Sequence, residues 1–263
     1  MGSAGTPDQT SLPSMLVLFT DYGWHDPYVG QIKAVLASEA PGLAVIDLLH
    51  AVPDFNAHAG ALLLDALSRS FPTGAVFLCV VDPGVGAGRE ALVVEADGRW
   101  YVGPDNGLLS IVSARAKRHR AWKIHWRPER LSVSFHGRDL FAPIAGWIAA
   151  GHFPADKLTL VAEPGIQFDA ADLPRILYID HFGNAWTGIR GGLADAASQL
   201  EVNGKRLPWR RVYAEAGKGE AFWYVNSSGL IEIAVNRGNA AGMLGLKVGD
   251  LIKLYSPAHG PVH

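Results

Sequence analysis

Apolar runs of strand length alternate with segments of helical periodicity over the first part of the chain. The strand-like runs are Met15–Thr20, Leu43–His50 and Ala75–Val81. Apolar positions recur with helical spacing through Tyr28–Leu36, before Pro41 and Gly42, and again over His58–Phe71. The run AVFLCVV is apolar at every position, which is typical of a central strand buried on both faces. Repeated strand–helix units predict an α/β layer with a mostly parallel sheet.

The pattern predicts one hairpin and two more helices before it changes. The runs ALVVEA and RWYVGP form a predicted hairpin that closes at Asp97 and Gly98, because Asp-Gly is a favoured two-residue hairpin turn. Two further helices are predicted over Asn106–Arg118 and Leu140–Ala150.

Short runs with period-two character replace this alternation from Arg175 onward. They are ILYID, AWTGI, LEVNG, AFWYVN, LIEIAV and LIKLYS. Short strands at regular spacing are typical of a small β-barrel or sandwich. We therefore predict a flexible tail over 1–14, a Rossmann-like α/β domain with a mostly parallel sheet over 15–163, a linker over 164–174, and a smaller all-β, barrel-like domain over 175–263.

Composition excludes several classes of protein. The chain has 263 residues, of which 49% are hydrophobic, and this content is typical of a globular protein rather than a disordered one. The formal charge of −2 gives no overall field for nucleic acid or an anionic membrane. No apolar run reaches the length of a membrane span, and the first 14 residues lack the apolar core of a signal peptide. We expect a cytoplasmic protein that binds neither nucleic acid nor membrane.

Polar residues follow two of the predicted strands directly. Asp21 comes after the first strand and before a helix, so its carboxylate fits either a helix N-cap or an acceptor for the vicinal diol of a ribose. Asp82 ends the most hydrophobic strand, where a carboxylate needs a partner. Arg89 can return to it across a tight glycine-rich loop. The spacing alone leaves open whether this pair is structural or part of an active site.

Three later segments carry candidate chemistry. His136 is followed by Gly137, which allows a backbone to approach a ligand closely. The segment IDHFGN offers the carboxylate of Asp180, the ring of Phe182 and the amide of Asn184, and it fits either a turn or a binding loop. The segment VNRGNA has a similar composition, and plain loops remain an alternative for each.

The motifs taken together resemble one enzyme family. TDYG, VVDPGVGAGR, GPDNG, SFHGRDLFAP, IDHFGNAWT, VNSSG and AVNRGNAA occur in this order. This set is similar to the S-adenosylmethionine (SAM) hydroxide adenosyltransferases, which are relatives of the fluorinase and chlorinase. The resemblance covers about Leu16 to Leu254 and implies an α/β domain followed by a β-barrel-like domain in a homotrimer, with SAM at subunit interfaces.

The resemblance also implies an activity and a set of site residues. The reaction is hydrolysis of SAM at ribose C5′ to adenosine and L-methionine, without a metal or other cofactor. The implied catalytic residues are Asp82, Arg89 and His136. The implied substrate-binding residues are Asp21 for the ribose, Asp180, Phe182 and Asn184 for methionine, Asn236 and Arg237 for adenine, and Tyr213 near the nucleoside.

Two other functional classes compete with this interpretation. A metal-dependent hydrolase would use an Asp/His cluster drawn from Asp21, His25, Asp26, Asp82, His136 and Asp139. No HxH or HExxH spacing supports such a site. A non-enzymatic protein that binds SAM or adenosine without turnover is the second alternative, and a halogenating enzyme is a weaker third.

Overall fold

The chain forms two compact units. The computed structural model describes residues 15–256 and 260–262, so the predicted flexible tail over 1–14 lies outside the described residues. The first unit comprises residues 15–65 and 71–170, and the second comprises residues 66–70 together with those from 171 onward.

The described part of the first unit contains a mixed set of strands and helices. The strands are β1 (Met15–Thr20), β2 (Ala44–Leu49), β3 (Val76–Val80), β4 (Ala91–Ala96), β5 (Arg99–Pro104), β6 (His119–Ile124) and β7 (Leu158–Val161). The α-helices are α1 (Tyr28–Glu39), α2 (Ala57–Ser68), α3 (Ser110–Ala114) and α4 (Ala142–Ala149). A π-helical turn over Gly137–Phe141 leads into α4.

These strands form one sheet in the order β2-β1-β3-β5-β4-β6-β7. Neighbours from β2 to β5 are parallel, and the remaining neighbours are antiparallel. Five of the seven strands consequently run in the same direction, which confirms the predicted mostly parallel sheet. The predicted hairpin is also confirmed, because β4 pairs with β5 and the turn residues Asp97 and Gly98 both have positive φ.

The apolar strands are buried because helices cover the sheet. Leu16 and Leu18 of β1 pack in one cluster with Ile32 and Leu36 of α1 and with residues of α4. Alternate positions such as Val17 point to the other face and are equally buried. Burial on both faces explains why the sequence of these strands is almost continuously apolar.

The helix predicted over Asn106–Arg118 is much shorter in the structure, where α3 spans only Ser110–Ala114. The Asn106 side chain accepts a hydrogen bond from the Leu108 N–H, and Gly107 has a φ of +94°. An Asx turn of this kind competes with helix formation, because it uses the backbone groups that a first helical turn would use.

The second unit consists of antiparallel sheets. Its strands are β8 (Leu173–Ile179), β9 (Ala185–Arg190), β10 (Gln199–Val202), β11 (Lys205–Leu207), β12 (Ala221–Val225), β13 (Leu230–Val235), β14 (Ile252–Ser256) and β15 (Gly260–Val262). One sheet has the order β11-β10-β14-β15 and the other the order β12-β13-β9-β8. Both sheets contribute to a single hydrophobic cluster, which also includes the short helix α5 (Ala240–Leu244). The antiparallel strands are as predicted, although the unit also contains the helix α5; the barrel-like arrangement stays a prediction.

Within the described ranges, none of the helices combines the length and the apolar character that crossing a membrane requires.

Candidate active site

Two aspartates follow the carboxyl ends of two neighbouring strands in the large sheet. Strands β1 and β3 are parallel neighbours, and Thr20 pairs with Val80 at their ends. Asp21 follows directly and donates its N–H to the Val80 carbonyl at 3.1 Å. Asp82 lies two residues beyond β3. Both line one cavity of about 690 Å³ in the first unit, together with His136. Parallel strands therefore bring Asp21 and Asp82 to one side of the sheet, where α/β proteins commonly bind ligands.

Asp82, Arg89 and His136 form a row of contacting polar groups. Arg89 Nε donates to Asp82 Oδ1 at 2.7 Å, and Arg89 Nη2 contacts Asp82 Oδ2. The same Nη2 lies 3.4 Å from His136 Nδ1. The Asp82 and Arg89 side chains are 4% and 11% exposed, so this two-pronged pair is largely shielded from solvent. The guanidinium carbon also lies over the Phe141 ring, 5.2 Å from the ring centroid, in a cation–π contact.

The loop after Asp82 turns twice and returns Arg89 to it. The Val85 N–H bonds to the Asp82 carbonyl at 3.3 Å, and the Ala87 N–H bonds to the Gly84 carbonyl at 3.0 Å. Gly86 has a φ of +81°, and a Cβ at that position would lie 2.5 Å from the Val133 carbonyl oxygen. Two features require glycine at position 86. The backbone has a positive φ, and the segment that carries His136 approaches too closely for a side chain.

A π-helical turn places His136 against this loop. The Ala142 N–H bonds to the Gly137 carbonyl, five residues earlier, as a π-helix requires. Directly before this turn, the Phe135 carbonyl accepts the N–H groups of both Arg138 and Asp139 at 3.2 Å. Asp139 pairs with Arg138 and also accepts the Ser132 N–H at 2.8 Å. Such π-helical turns occur frequently at functional sites. Burial, followed by the neighbouring Arg89 guanidinium, lowers the pKa of His136 below its ordinary value, so its imidazole is neutral at pH 7.

Gly137 packs against the Tyr22 hydroxyl, and we expect Gly137→Ala to destabilise the protein. An added Cβ would overlap that hydroxyl. Overpacking of this kind costs about 1–3 kcal/mol of the free energy of unfolding, which urea denaturation would measure. Adding Tyr22→Phe removes the clashing atom and should restore most of the loss. The matched control is Gly30→Ala in α1, where nothing lies within 4 Å of the new methyl group. If Gly30→Ala lowered the free energy of unfolding as much as Gly137→Ala, overlap with the Tyr22 hydroxyl would not be the cause.

Asp21 is a partly buried carboxylate in an acidic environment. Burial raises the pKa of Asp21 to about 6, and the nearby charges of Asp54 and Asp82 add to this, although hydrogen bonds from its own N–H and that of Phe55 oppose the shift. The N-cap interpretation is wrong, because the N-cap of α1 is Pro27. Asp21 consequently faces the cavity as an acceptor rather than serving the helix.

Aromatic residues that the sequence did not single out line the same cavity. The rings of Tyr22, Tyr28 and Phe135 lie 5.3 to 5.8 Å apart, and the Arg138 guanidinium lies over Phe135. Phe55 is 76% exposed and has a φ of +59°, an unusual conformation for a bulky residue. Tyr22 in the motif TDYG was the one sequence feature that could have indicated these aromatic residues.

A second cavity, of about 650 Å³, lies within the second unit. Its lining includes Asp180 and Asn184 from the β8–β9 hairpin loop. Asp180 Oδ1 accepts the N–H groups of Phe182 and Asn184 at 2.9 Å, and its Oδ2 accepts the Asn184 side chain at 3.0 Å. The IDHFGN segment is thus a hairpin loop whose carboxylate is held in one orientation at the cavity.

The other predicted residues of the second unit divide into two groups. Phe182, Tyr213 and Arg237 line this cavity with Asp180 and Asn184. Asn236 is not among the lining residues, and its side-chain amide donates to the Ala216 carbonyl at 2.7 Å. The structure therefore gives Asn236 a role in fixing the loop before Arg237.

Sequence reasoning missed Glu232, a buried carboxylate at this second cavity. Glu232 is 2% exposed and accepts hydrogen bonds from the Tyr224 hydroxyl at 2.7 Å and the Asn226 side chain at 3.0 Å. Burial raises its pKa, while these two donors oppose the shift. An acidic residue in the middle of the apolar strand LIEIAV was the signal for it, since such a residue is almost never buried without partners.

The alternative of an Asp/His metal centre finds no geometric support in the part of the chain that the structure describes. Among those residues, no group of three or more His, Cys, Asp or Glu side chains is arranged to hold a metal ion. Two carboxylates of the proposed metal cluster form ion pairs instead: Asp82 pairs with Arg89, and Asp139 pairs with Arg138.

Comparison with known proteins identifies similar sequences over both units. The model of the SAM hydroxide adenosyltransferase N-terminal domain matches residues 16–159, and that of its C-terminal domain matches residues 174–253. The (R)-S-adenosyl-L-methionine hydrolase of Thermus thermophilus is 41% identical, over 89% of this chain and 97% of the relative. A fluorinase of Actinopolyspora mzabensis is 27% identical, over 94% of this chain and 98% of the relative. The crystal structure of a conserved protein from Thermotoga maritima matches with a TM-score of 0.83 at 30% identity, over 91% of this chain and 99% of that one.

Proposed function

This chain belongs to the SAM hydroxide adenosyltransferase family, and on that premise we propose that it hydrolyses SAM by attack of water on ribose C5′, giving adenosine and L-methionine. The observation that carries the proposal is the row of Asp82, Arg89 and His136. Asp82 and His136, at the two ends of this row, line the cavity that also contains Asp21. Greater identity to a SAM hydrolase than to a fluorinase supports water rather than halide as the nucleophile.

The residue types suit the difficulty of this reaction. The sulfonium of SAM leaves as a neutral thioether, so the leaving group needs neither a general acid nor a metal. Water is a poor nucleophile toward C5′, and it must be held in line with the C5′–S bond. Fixing the geometry of two reactants contributes on the order of 7 to 11 kcal/mol in favourable cases. Positioning a single water molecule is therefore the main task of the site.

The three residues divide that task. Arg89 and His136 hold the water, and Asp82 orients Arg89 through the two-pronged pair and helps to draw off a proton. The neutral state of His136 leaves it able to exchange hydrogen bonds with water at pH 7. Arg89 is not the base, because a guanidinium does not lose its proton in proteins.

The remaining residues bind the substrate in this proposal. Asp21 accepts hydrogen bonds from the ribose hydroxyls. Asp180 and Asn184 contact the methionine end, with Phe182 packing beside them. Asn236 and Arg237 recognise adenine, and Tyr213 lies near the nucleoside. A homotrimer with sites at subunit interfaces, the barrel-like arrangement of the second unit and a cytoplasmic location complete the proposal.

Isotope-labelled water tests the function directly. Incubation with SAM in H₂¹⁸O should give methionine and adenosine, with ¹⁸O in the 5′-hydroxyl of adenosine. Binding without any product would instead identify a SAM- or adenosine-binding protein. Loss of the reaction on chelation would favour the metal-dependent hydrolase, and a 5′-halogenated nucleoside formed in chloride would favour a halogenase.

A further inference from the structure

The turn after β5 lies beneath the loop that carries Asp82 and Arg89. The sheet order places β5 between β3 and β4. The loop from β3 to β4, residues 81–90, must therefore cross over the carboxyl end of β5. The residues at that end are Asp105 and Asn106 of the motif GPDNG, which the proposed mechanism does not use.

These two residues hold both ends of the crossing loop. Asn106 Nδ2 donates to the Val81 carbonyl at 2.7 Å, directly before Asp82. The Asp105 N–H donates to the Glu90 carbonyl at 3.0 Å, directly after Arg89. The same Glu90 carbonyl accepts Arg89 Nη1 at 3.1 Å. One turn is thus hydrogen bonded next to each member of the ion pair.

The turn is itself rigidly held. The Asp105 carboxylate, in a residue that is 7% exposed, accepts the N–H groups of Gly165 and Ile166 at 3.0 Å. Asn106 Oδ1 accepts the Leu108 N–H, so both ends of its amide are engaged. The donor that Asn106 offers to Val81 is consequently fixed in direction and has no alternative partner in the turn.

We propose that Asn106 is a positioning residue for the hydrolysis, acting through the Val81 carbonyl to set the placement of Asp82 relative to Arg89. This inference rests on the proposed function. It assigns a task to a residue that is not among those lining the cavity.

Asn106→Asp tests the inference because it removes the donor and keeps the acceptor for Leu108. We expect kcat for adenosine release to fall about tenfold or more, while KM for SAM stays within about threefold. Asn203→Asp is the matched control, because Asn203 Nδ2 donates to the Leu244 carbonyl at 3.2 Å in the second unit. That variant should lose a similar hydrogen bond without a change in kcat. Asn106→Ala replaces Asn106→Asp if the added charge prevents folding.

A spectroscopic measurement separates this inference from the function itself. The Nε–H of Arg89, which the Asp82 bond protects, gives a ¹H–¹⁵N signal that Arg89→Lys identifies. We expect that signal to shift or broaden in Asn106→Asp and to persist in Asn203→Asp. An unchanged signal, or an unchanged kcat per folded molecule, would overturn the positioning role. If the wild-type protein released no adenosine, the proposed function would fail, and the Arg89 signal would still decide whether Asn106 controls the pair.

Discussion

Arg89→Lys is expected to lower kcat for SAM hydrolysis by about 10²- to 10³-fold, a typical cost of removing one preorganised donor from a reaction centre. Lysine keeps the positive charge but has a single nitrogen, so it cannot make two parallel bonds to Asp82 and also approach His136. Steady-state kinetics at saturating SAM would measure the loss. KM should change much less, because in the proposed mechanism Arg89 binds the attacking water and does not contact SAM.

The matched control for this prediction is Arg120→Lys. Arg120 Nε donates to Glu95 Oε2 at 2.9 Å between β6 and β4, and the pair lies far more exposed than Asp82–Arg89. Its replacement should leave kcat unchanged, since exposed ion pairs contribute about 0–1 kcal/mol to stability. Equal effects of the two substitutions would contradict the assignment of Arg89. Asp82→Asn combined with Arg89→Lys should cost little more than either change alone, because the two residues act as a unit.

Asp21→Asn is expected to lower kcat/KM by about 10²- to 10³-fold and yet to stabilise the folded protein. Each hydrogen bond to a charged group is worth about 1.5–3 kcal/mol, and the ribose diol would lose a charged acceptor for both hydroxyls. The gain in stability follows from the raised pKa. Kinetic assays and thermal unfolding at pH 7.5 would measure the two effects, with Asp156→Asn at an exposed site as the control.

The pH dependence of both effects follows from the pKa of about 6, against an ordinary 3.8. Because the folded state holds the Asp21 proton more tightly than the unfolded state, wild-type stability falls as pH rises from about 4 to 6. The advantage of Asp21→Asn should therefore be largest above pH 6 and vanish below about pH 4. Wild-type kcat/KM should decline as pH falls below about 6, because the protonated carboxyl is a weaker acceptor. A wild-type acid limb near pH 4 would contradict the assignment.

Local sequence signals predicted the elements and the Asp82–Arg89 pair well. Strands β1 and β3 were evident because each is apolar at nearly every position, and the return of Arg89 followed from the glycines between the two residues. The family was recognised from the order of the motifs, and the matches to both of its domains confirm it. These features depend on neighbours within about ten residues along the chain.

Features that depend on distant contacts were not predictable from spacing. His136 reaches Arg89 across 47 residues, and only the crossing of two loops brings them together. The first turn of the helix predicted from Asn106 is replaced by the Asx turn to Leu108, and the same side chain also bonds to the Val81 carbonyl, 25 residues away. The Asn236 side-chain amide donates to the carbonyl of Ala216, which lies 20 residues away along the chain. The hydrogen bonds of His136, Asn106 and Asn236 to distant residues are therefore not visible in the local spacing of the sequence.

The buried amide of Asn226 affects how the protein should be produced. Asn226-Ser227-Ser228 is an acceptor sequence for N-linked glycans, yet Asn226 is 7% exposed and its side chain is bonded to Glu232. The folded protein therefore does not present the Asn226 amide to an oligosaccharyltransferase. In a chain glycosylated before folding, the sugar would be attached to the Asn226 side-chain nitrogen that donates to Glu232. Expression in a host without this modification therefore preserves the native packing.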